Sequence, residues 1–167
     1  MPRDWNGLWI NRSSVIHAAG FDLVILETAG IGQGDSNIVN LCDVSMYVMT
    51  SEFGAASQLE KIDMLVFADL VVINKFEKRG SEDAVRDVRK QVQRNRNAFN
   101  KSPDDMPVFS TIASKFNDDG VTALYHALLE MVTDLVPVDQ RSTSLPSSFG
   151  AENMTPLAVS ISPPTFI

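Results

Sequence analysis

The chain has 167 residues, 44% of them hydrophobic, which suffices for one globular core and gives no sign of a second. A formal net charge of −7 argues against a general surface for nucleic acids or membranes. The single cysteine, Cys42, excludes an internal disulfide framework. No stretch has the apolar length of a membrane span or the pattern of a secretory signal, so we expect a cytoplasmic location.

An apolar strand that ends in an acid comes first along the chain. Residues 21–26 have the composition of a buried parallel strand, which Glu27 ends, and a glycine-rich turn follows. Because ligands bind at the carboxyl ends of such strands, we expect Glu27 to act at a phosphate edge, oriented toward magnesium. Glycines let the backbone approach an anion, with the Gly30 N–H facing a γ-phosphate and Gln33 near the attacking water. Taken alone, the stretch also fits an ordinary strand and loop.

Strands and helices then alternate, which is typical of a parallel sheet with right-handed crossovers. The predicted elements are a helix over 35–40, a strand over 44–49, a helix over 57–67, a strand over 68–73, a helix with Ser81 as its N-cap, a strand over 107–112 and a helix capped by Asp118 and Asp119. The helix after Ser81 is expected to face the sheet with Val85, Val88, Val92 and Phe99. The last helix is expected to do so with Val121, Leu124, Tyr125, Leu128 and Val132.

The predicted strand over 68–73 is followed by residues that suit guanine recognition. Asn74, Lys75 and Glu77 follow it, and a carboxylate can accept two parallel hydrogen bonds from guanine N1–H and its amino group, a donor pair that adenine lacks. We expect Asn74 to tie neighbouring loops together and to contact the base edge. The aliphatic stem of Lys75 can cover the base plane. The usual fourth residue is Asp, so Glu77 leaves guanine selectivity open, and a charged surface loop is the alternative interpretation.

This ordered series of motifs resembles the G domain of the SIMIBI-class GTPases that serve as metallochaperones for cobalamin-dependent acyl-CoA mutases, above all the GTPase segment of fused isobutyryl-CoA mutase. The blocks that carry the resemblance are residues 27–33, 47–50, 58–65, 74–80 and 109–121. The resemblance covers residues 18–136. It leaves residues 1–17 as a divergent N-terminal segment and residues 137–167 as a flexible Ser/Thr/Pro-rich tail, or as a linker to a mutase domain.

The resemblance implies an α/β protein with a partial P-loop NTPase fold, in which a mostly parallel sheet is flanked by helices and truncated on its N-terminal side. It implies GTP or GDP and Mg²⁺ as ligands, and backbone N–H groups of Ala113, Ser114 and Lys115 that face the base oxygen; simple helix-cap chemistry is the alternative for that loop. The 167 residues contain no G-x-x-x-x-G-K-[ST] motif, so we expect little or no GTP hydrolysis from this chain alone.

The resemblance also implies partners. These are cobalamin-dependent acyl-CoA mutase domains, which bind the cobalamin themselves and which the GTPase serves as a chaperone for cofactor loading; a homodimer is a further option. Two rival interpretations remain at this point: a non-hydrolysing binding module that needs a complementing chain, and a degenerate fragment that binds nothing.

Overall fold

The computed structural model describes residues 23–27, 39–40, 42–53, 59 and 62–135, together with the backbone of residues 157–162. Its strands are β1 (Leu23–Glu27), β2 (Val44–Thr50), β3 (Leu70–Asn74), β4 (Val108–Thr111) and β5 (Leu157–Ser162). Its α-helices are α1 (Met64–Phe67), α2 (Ser81–Asn95) and α3 (Asp119–Leu135), and short 3₁₀ turns lie at Ser51–Phe53 and Pro103–Asp105.

The five strands form one sheet in the order β1-β5-β2-β3-β4, and every neighbouring pair is parallel. The predicted α/β fold with a parallel sheet and flanking helices is therefore confirmed. Thr50, Asn74 and Thr111 lie level with one another across β2, β3 and β4. As a result, the polar ends of three strands meet at one edge of the sheet.

The main core fills the space between one face of the sheet and the helices α1 and α2. Residues of this cluster with no exposed surface are Met49, Leu65, Val71, Ile73, Val88 and Val92. Helix α3 covers the opposite face, where Leu124, Leu128 and Met131 pack against a smaller buried cluster of Met46, Leu70 and Val72. No helix within the described ranges is both long enough and apolar enough to cross a membrane.

Three sequence predictions about the helices were wrong in detail. Ser81 is the first residue of α2 and is buried, while Gly80 takes the N-cap position with φ of 85° and contributes no side-chain hydrogen bond. Phe99 lies beyond the end of α2 and is 69% exposed. On α3, Val121 and Tyr125 are exposed, because the helix touches the sheet along the row that contains Leu124 and Leu128 instead.

Strand β5 lies in a segment that was expected to be a flexible tail. The backbone of residues 157–162 runs between β1 and β2 and pairs with both. The β-branched residues Val159 and Ile161 alternate along it, as is common in strands, and the position offers ladder partners on both sides. The rest of 136–167, like residues 1–17, lies outside the described residues.

Candidate functional site

The carboxyl ends of parallel strands share an edge of the sheet, and this edge carries the candidate site. Glu27 ends β1 and is exposed there. Its partner across the ladder is Ile161, which is in turn level with Met46, four residues before Thr50. With three strand spacings between β1 and β3 and this stagger along the strands, Glu27 and Asn74 are roughly 20 Å apart. The two sequence motifs thus lie well apart on the sheet.

Asn74 joins two loops at the end of β3. Its Oδ1 accepts hydrogen bonds from Thr111 Oγ1 and from the Ala113 N–H, both at 3.2 Å. The Phe76 N–H donates to the Thr111 carbonyl at 3.1 Å and adds a third link. We call residues 75–80 the NK loop and residues 112–118 the ASK loop. The tie between neighbouring loops that was predicted for Asn74 is present, and its contact with a base stays a prediction.

The NK loop begins with a sharp turn at Lys75. This residue has φ of 58°, in the left-handed region that residues other than glycine rarely adopt. The turn is closed by a hydrogen bond from the Lys78 N–H to the Lys75 carbonyl at 3.0 Å. Lys75 and Glu77 are both exposed at the edge of the sheet. Strained backbone of this kind tends to persist at ligand sites, where surrounding structure holds it.

Asp118 holds both ends of the ASK loop in place. The sequence predicted Asp118 only as a helix cap, and its role in shaping the loop was missed. Its Oδ2 accepts from the Ile112 N–H at 3.2 Å and from the Val121 N–H at 2.9 Å, so one carboxylate binds the start of the loop and caps α3. These two backbone hydrogen bonds lower the pKa of Asp118 below its usual value, and the bond from the Ile112 N–H has the larger effect. Ala113, Ser114 and Lys115 are left exposed between the two anchoring points.

Glycine at position 120 allows α3 to approach the edge strand closely. A Cβ at Gly120 would lie 1.8 Å from the Ser110 carbonyl oxygen. Only glycine, whose side chain is a hydrogen atom, fits in this space. Gly120 therefore determines how closely α3 packs on β4, and with it the position of the ASK loop. Sequence reasoning gave Gly120 no role, although a glycine in the first turn of a predicted helix was a usable signal.

An ion pair also anchors the NK loop to the end of β2. Lys78 Nζ lies 2.5 Å from Oε1 of Glu52, and Glu52 belongs to the 3₁₀ turn that follows β2. The hydrogen bond and charge of Lys78, with a smaller effect of the Lys75 charge, lower the pKa of Glu52. Both side chains are about half exposed, so the pair fixes loop position more than it adds stability. No local sequence pattern indicates this ion pair, because its partners are 26 residues apart in the chain.

Of the residues predicted to act at the phosphates, the structure describes only Glu27. Gly30 and Gln33, the other residues predicted there, lie outside the described residues. The described part of the chain holds no group of three or more His, Cys, Asp or Glu side chains arranged for a metal ion. A single exposed carboxylate still suits Mg²⁺, which commonly takes one or two carboxylates together with substrate phosphates and waters.

Comparison with known proteins places this arrangement in a family. The family model described as Methylmalonyl Co-A mutase-associated GTPase MeaB matches residues 11–143. The chain belongs to this MeaB GTPase family. The resemblance stated from the motifs is confirmed, and the parallel sheet with its flanking helices is a partial P-loop GTPase fold.

The similar proteins include fused mutases. The chain is 69% identical over 124 residues to the fused isobutyryl-CoA mutase of Nocardia farcinica, and 63% identical over 119 residues to that of Geobacillus kaustophilus. A putative GTPase of Caulobacter vibrioides is 40% identical over 58 residues. These alignments cover 74%, 71% and 35% of this chain, but only 12%, 11% and 18% of the respective relatives. The chain therefore corresponds to a small, GTPase-like part of the fused proteins.

Proposed function

We propose that this chain is the guanine-nucleotide-binding region of a cobalamin-dependent acyl-CoA mutase of the isobutyryl-CoA mutase type, and that it acts as a chaperone for cofactor loading. The observation that carries the proposal is the pair of hydrogen bonds from Thr111 and Ala113 to Asn74. They hold the NK and ASK loops side by side at the carboxyl edge of the sheet, where open α/β folds bind ligands. The family match and the fused relatives support the same assignment.

The base binds between the two loops in this proposal. Glu77 accepts hydrogen bonds from guanine N1–H and the amino group, while the stem of Lys75 covers one face of the ring. Of the backbone N–H groups expected to face the base oxygen, those of Ala113 and Lys115 already donate to Asn74 Oδ1 and to the Ile112 carbonyl, so the Ser114 N–H is the one proposed to bind that oxygen. Asn74 contacts the base edge and keeps the two loops at a fixed separation. Lys75 and Glu77 both belong to the NK loop, which turns sharply at Lys75, where φ is 58°.

The phosphates extend toward β1, about 20 Å from Asn74, a separation that follows from strand spacing and stagger. There Glu27 is the residue that would hold Mg²⁺ through its water shell, and the ion, when bound, offsets phosphate charge. Gly30 senses the γ-phosphate and Gln33 positions the attacking water. Loss of the γ-phosphate releases residues 30–35, and this change gates cofactor loading in the mutase.

The chain alone is proposed to hydrolyse GTP slowly or not at all. Phosphoryl transfer depends on a loop that cradles the phosphates with backbone N–H groups and a lysine, and no such motif occurs in these 167 residues. Its partners are the mutase domains that bind cobalamin, in the cytoplasm. Nucleotide binding, and not GTP hydrolysis, is therefore the property that tests the proposed function of this chain.

Titration with fluorescent GTP, GDP and ATP analogues, with and without Mg²⁺, tests the proposal on purified chain whose fold is first checked by circular dichroism. We expect guanine nucleotides to bind more tightly than the ATP analogue, and Mg²⁺ to strengthen GTP binding. Glu27→Ala should remove the Mg²⁺ effect and leave the fold intact, whereas the exposed control Glu130→Ala on α3 should change neither. A folded chain that binds no nucleotide, or that binds GTP and ATP equally, would contradict the assignment.

A further inference from the structure

One face of β1 carries apolar side chains that no described element covers. Val24 and Leu26 belong to the main core, so Leu23 and Ile25, which alternate with them along the strand, point to the opposite face of the sheet. Leu23 is 51% exposed and Ile25 is 60% exposed. Of the described helices, α3 alone lies on that face. The sheet therefore has an open apolar surface at β1, on the same face as α3.

Helix α3 has an exposed apolar row of its own. Val121, Tyr125 and Leu129 follow one another along the helix at intervals of four residues, and all three are exposed. Ala123 lies about 160–200° from the first two around the helix axis, and it lines a groove along β4 with Phe109. The apolar row is consequently on the other side of α3, toward β2 and β5.

These two surfaces border a space that is one helix wide. Helix α3 packs on Leu70 and Val72 of β3, and β5 is two strands away from β3 in the sheet. Two strand spacings are about 10 Å, and the axes of packed helices lie about 8–10 Å apart. A helix beside α3 would thus lie over β5, with the apolar row of α3 on one side and Leu23 and Ile25 on the other. We call this space the trough.

The segment directly before β1 has a sequence that suits the trough. Apolar residues recur in it at spacings that place them on one side of a helix, namely Trp5, Leu8, Trp9, Val15 and Ile16. This spacing predicts a helix over 5–19, with a length of about 22 Å against about 25 Å for α3. Only residues 20–22 separate the predicted helix from β1. The helix would therefore lie within reach of the trough, whose far side is β1 itself.

Charge favours this segment over a second copy of the chain as the occupant. Helix α3 contains Asp119, Glu130 and Asp134, and it contains no Lys or Arg. Residues 5–21 contain Arg12 and no carboxylate. Packing α3 against α3 of another copy would bring like charges together, which is unfavourable, whereas residues 5–21 add no negative charge.

We propose that residues 5–19 pack as an amphipathic helix in the trough and cover both the open face of β1 and the apolar row of α3. Removal of apolar surface from water stabilises this packing, and aromatic side chains such as Trp5 and Trp9 bury large areas. The helix would hold β1 from the side opposite the main core, and so would steady the strand that ends in Glu27. The packing does not depend on the proposed nucleotide site.

Fluorescence of the full chain tests this packing, because Trp5 and Trp9 are its two tryptophans. We expect their emission to lie at shorter wavelength, and acrylamide to quench it less, than in a synthetic peptide of residues 1–17. Tyr125→Asp places a carboxylate in the trough and should move both readings toward those of the peptide. The control Phe99→Asp changes another exposed aromatic residue, which follows α2, and should change neither reading.

Two fluorescence results would overturn the proposal. The first is an unmodified chain whose tryptophans emit and are quenched as in the peptide. The second is a folded Tyr125→Asp chain whose tryptophans stay as shielded as in the unmodified chain, since they would then be buried somewhere other than the trough.

Photo-cross-linking decides the matter if Tyr125→Asp does not fold. A full chain with benzoylphenylalanine in place of Tyr125 keeps an aromatic ring at this position, and irradiation should join that ring to residues 5–19 of the same molecule. Cross-links to other segments alone, or no cross-link, would overturn the proposal. So would a covalent dimer joined at this position, which would make a second copy the occupant. An intramolecular link to residues 5–19 supports the proposal whether or not the chain binds a nucleotide.

Discussion

Replacing Gly120 by alanine tests whether close contact between α3 and the edge strand positions the ASK loop. The added Cβ would lie 1.8 Å from the Ser110 carbonyl oxygen, 2.9 Å from the Ser110 carbonyl carbon and 3.0 Å from Asp118 Oδ2. The first distance is well short of ordinary van der Waals contact, which begins at 3.4 Å. Because the nearest atoms belong to the backbone, no rotamer change can relieve the clash, and α3 must move away from β4.

The sign of the effect distinguishes this packing argument from helix propensity. At an open helix position, glycine to alanine stabilises by about 1 kcal/mol. Overpacking typically costs about 1–3 kcal/mol, and a clash with backbone belongs at the upper end, so we expect a loss of about 3 kcal/mol for Gly120→Ala. For a domain of this size, that loss lowers the melting temperature by about 6–12 °C.

Urea unfolding and thermal melting, both followed by circular dichroism, measure the loss. Gly80→Ala is the matched control: no atom lies within 4 Å of its Cβ, so only the positive φ of 85° opposes the substitution. That conformational cost is about 1–2 kcal/mol. If Gly120→Ala is as stable as the unmodified chain, or loses no more than Gly80→Ala, then close packing of α3 on Ser110 does not set the position of the ASK loop.

Three further substitutions probe the loops themselves. Asn74→Ala removes the acceptor of two hydrogen bonds and leaves the Ala113 N–H without this partner, so urea unfolding should show a loss of about 1–3 kcal/mol, and the exposed control Asn100→Ala almost none. Asp118 has a lowered pKa in the folded chain, so the stability it adds is present above its ordinary pKa of 3.8 and is lost as the pH falls through the folded value. The difference in unfolding free energy between the unmodified chain and Asp118→Ala should therefore shrink in acid. A difference that does not change with pH would contradict this. Glu77→Asp should raise the preference for GDP over ADP in a competition titration, and an unchanged ratio would mean that position 77 does not read the base.

The sequence predicted the sheet well where burial is complete. Strands β2 and β3 were recognisable because a parallel strand covered on both faces needs apolar residues at nearly every position, as residues 70–73 show. The tie made by Asn74 was also predictable, since a polar side chain directly after such a strand lies at the shared edge. The described bounds of β2, β3 and β4 differ from the predicted ones by only one or two residues.

What failed depended on contacts between distant parts of the chain. Phe99 continued the apolar spacing of α2, but the helix ends at Asn95, and nothing in the periodicity marks that end. Strand β5 was missed because the alternation of Val159 and Ile161 is a weak signal in a segment rich in Ser and Pro, and because the strand depends on partners that lie more than 100 residues earlier. The ion pair of Lys78 with Glu52 joins two loops in the same non-local way.

Hydrogen exchange with bound nucleotide reports where the base lies. We expect saturating GDP to slow amide exchange in both the NK loop and the ASK loop, and ADP at the same concentration to slow it in neither. Asn74→Ala should weaken the effect of GDP in both loops together. Saturating GDP that leaves both loops unprotected would contradict the claim that they form the guanine site.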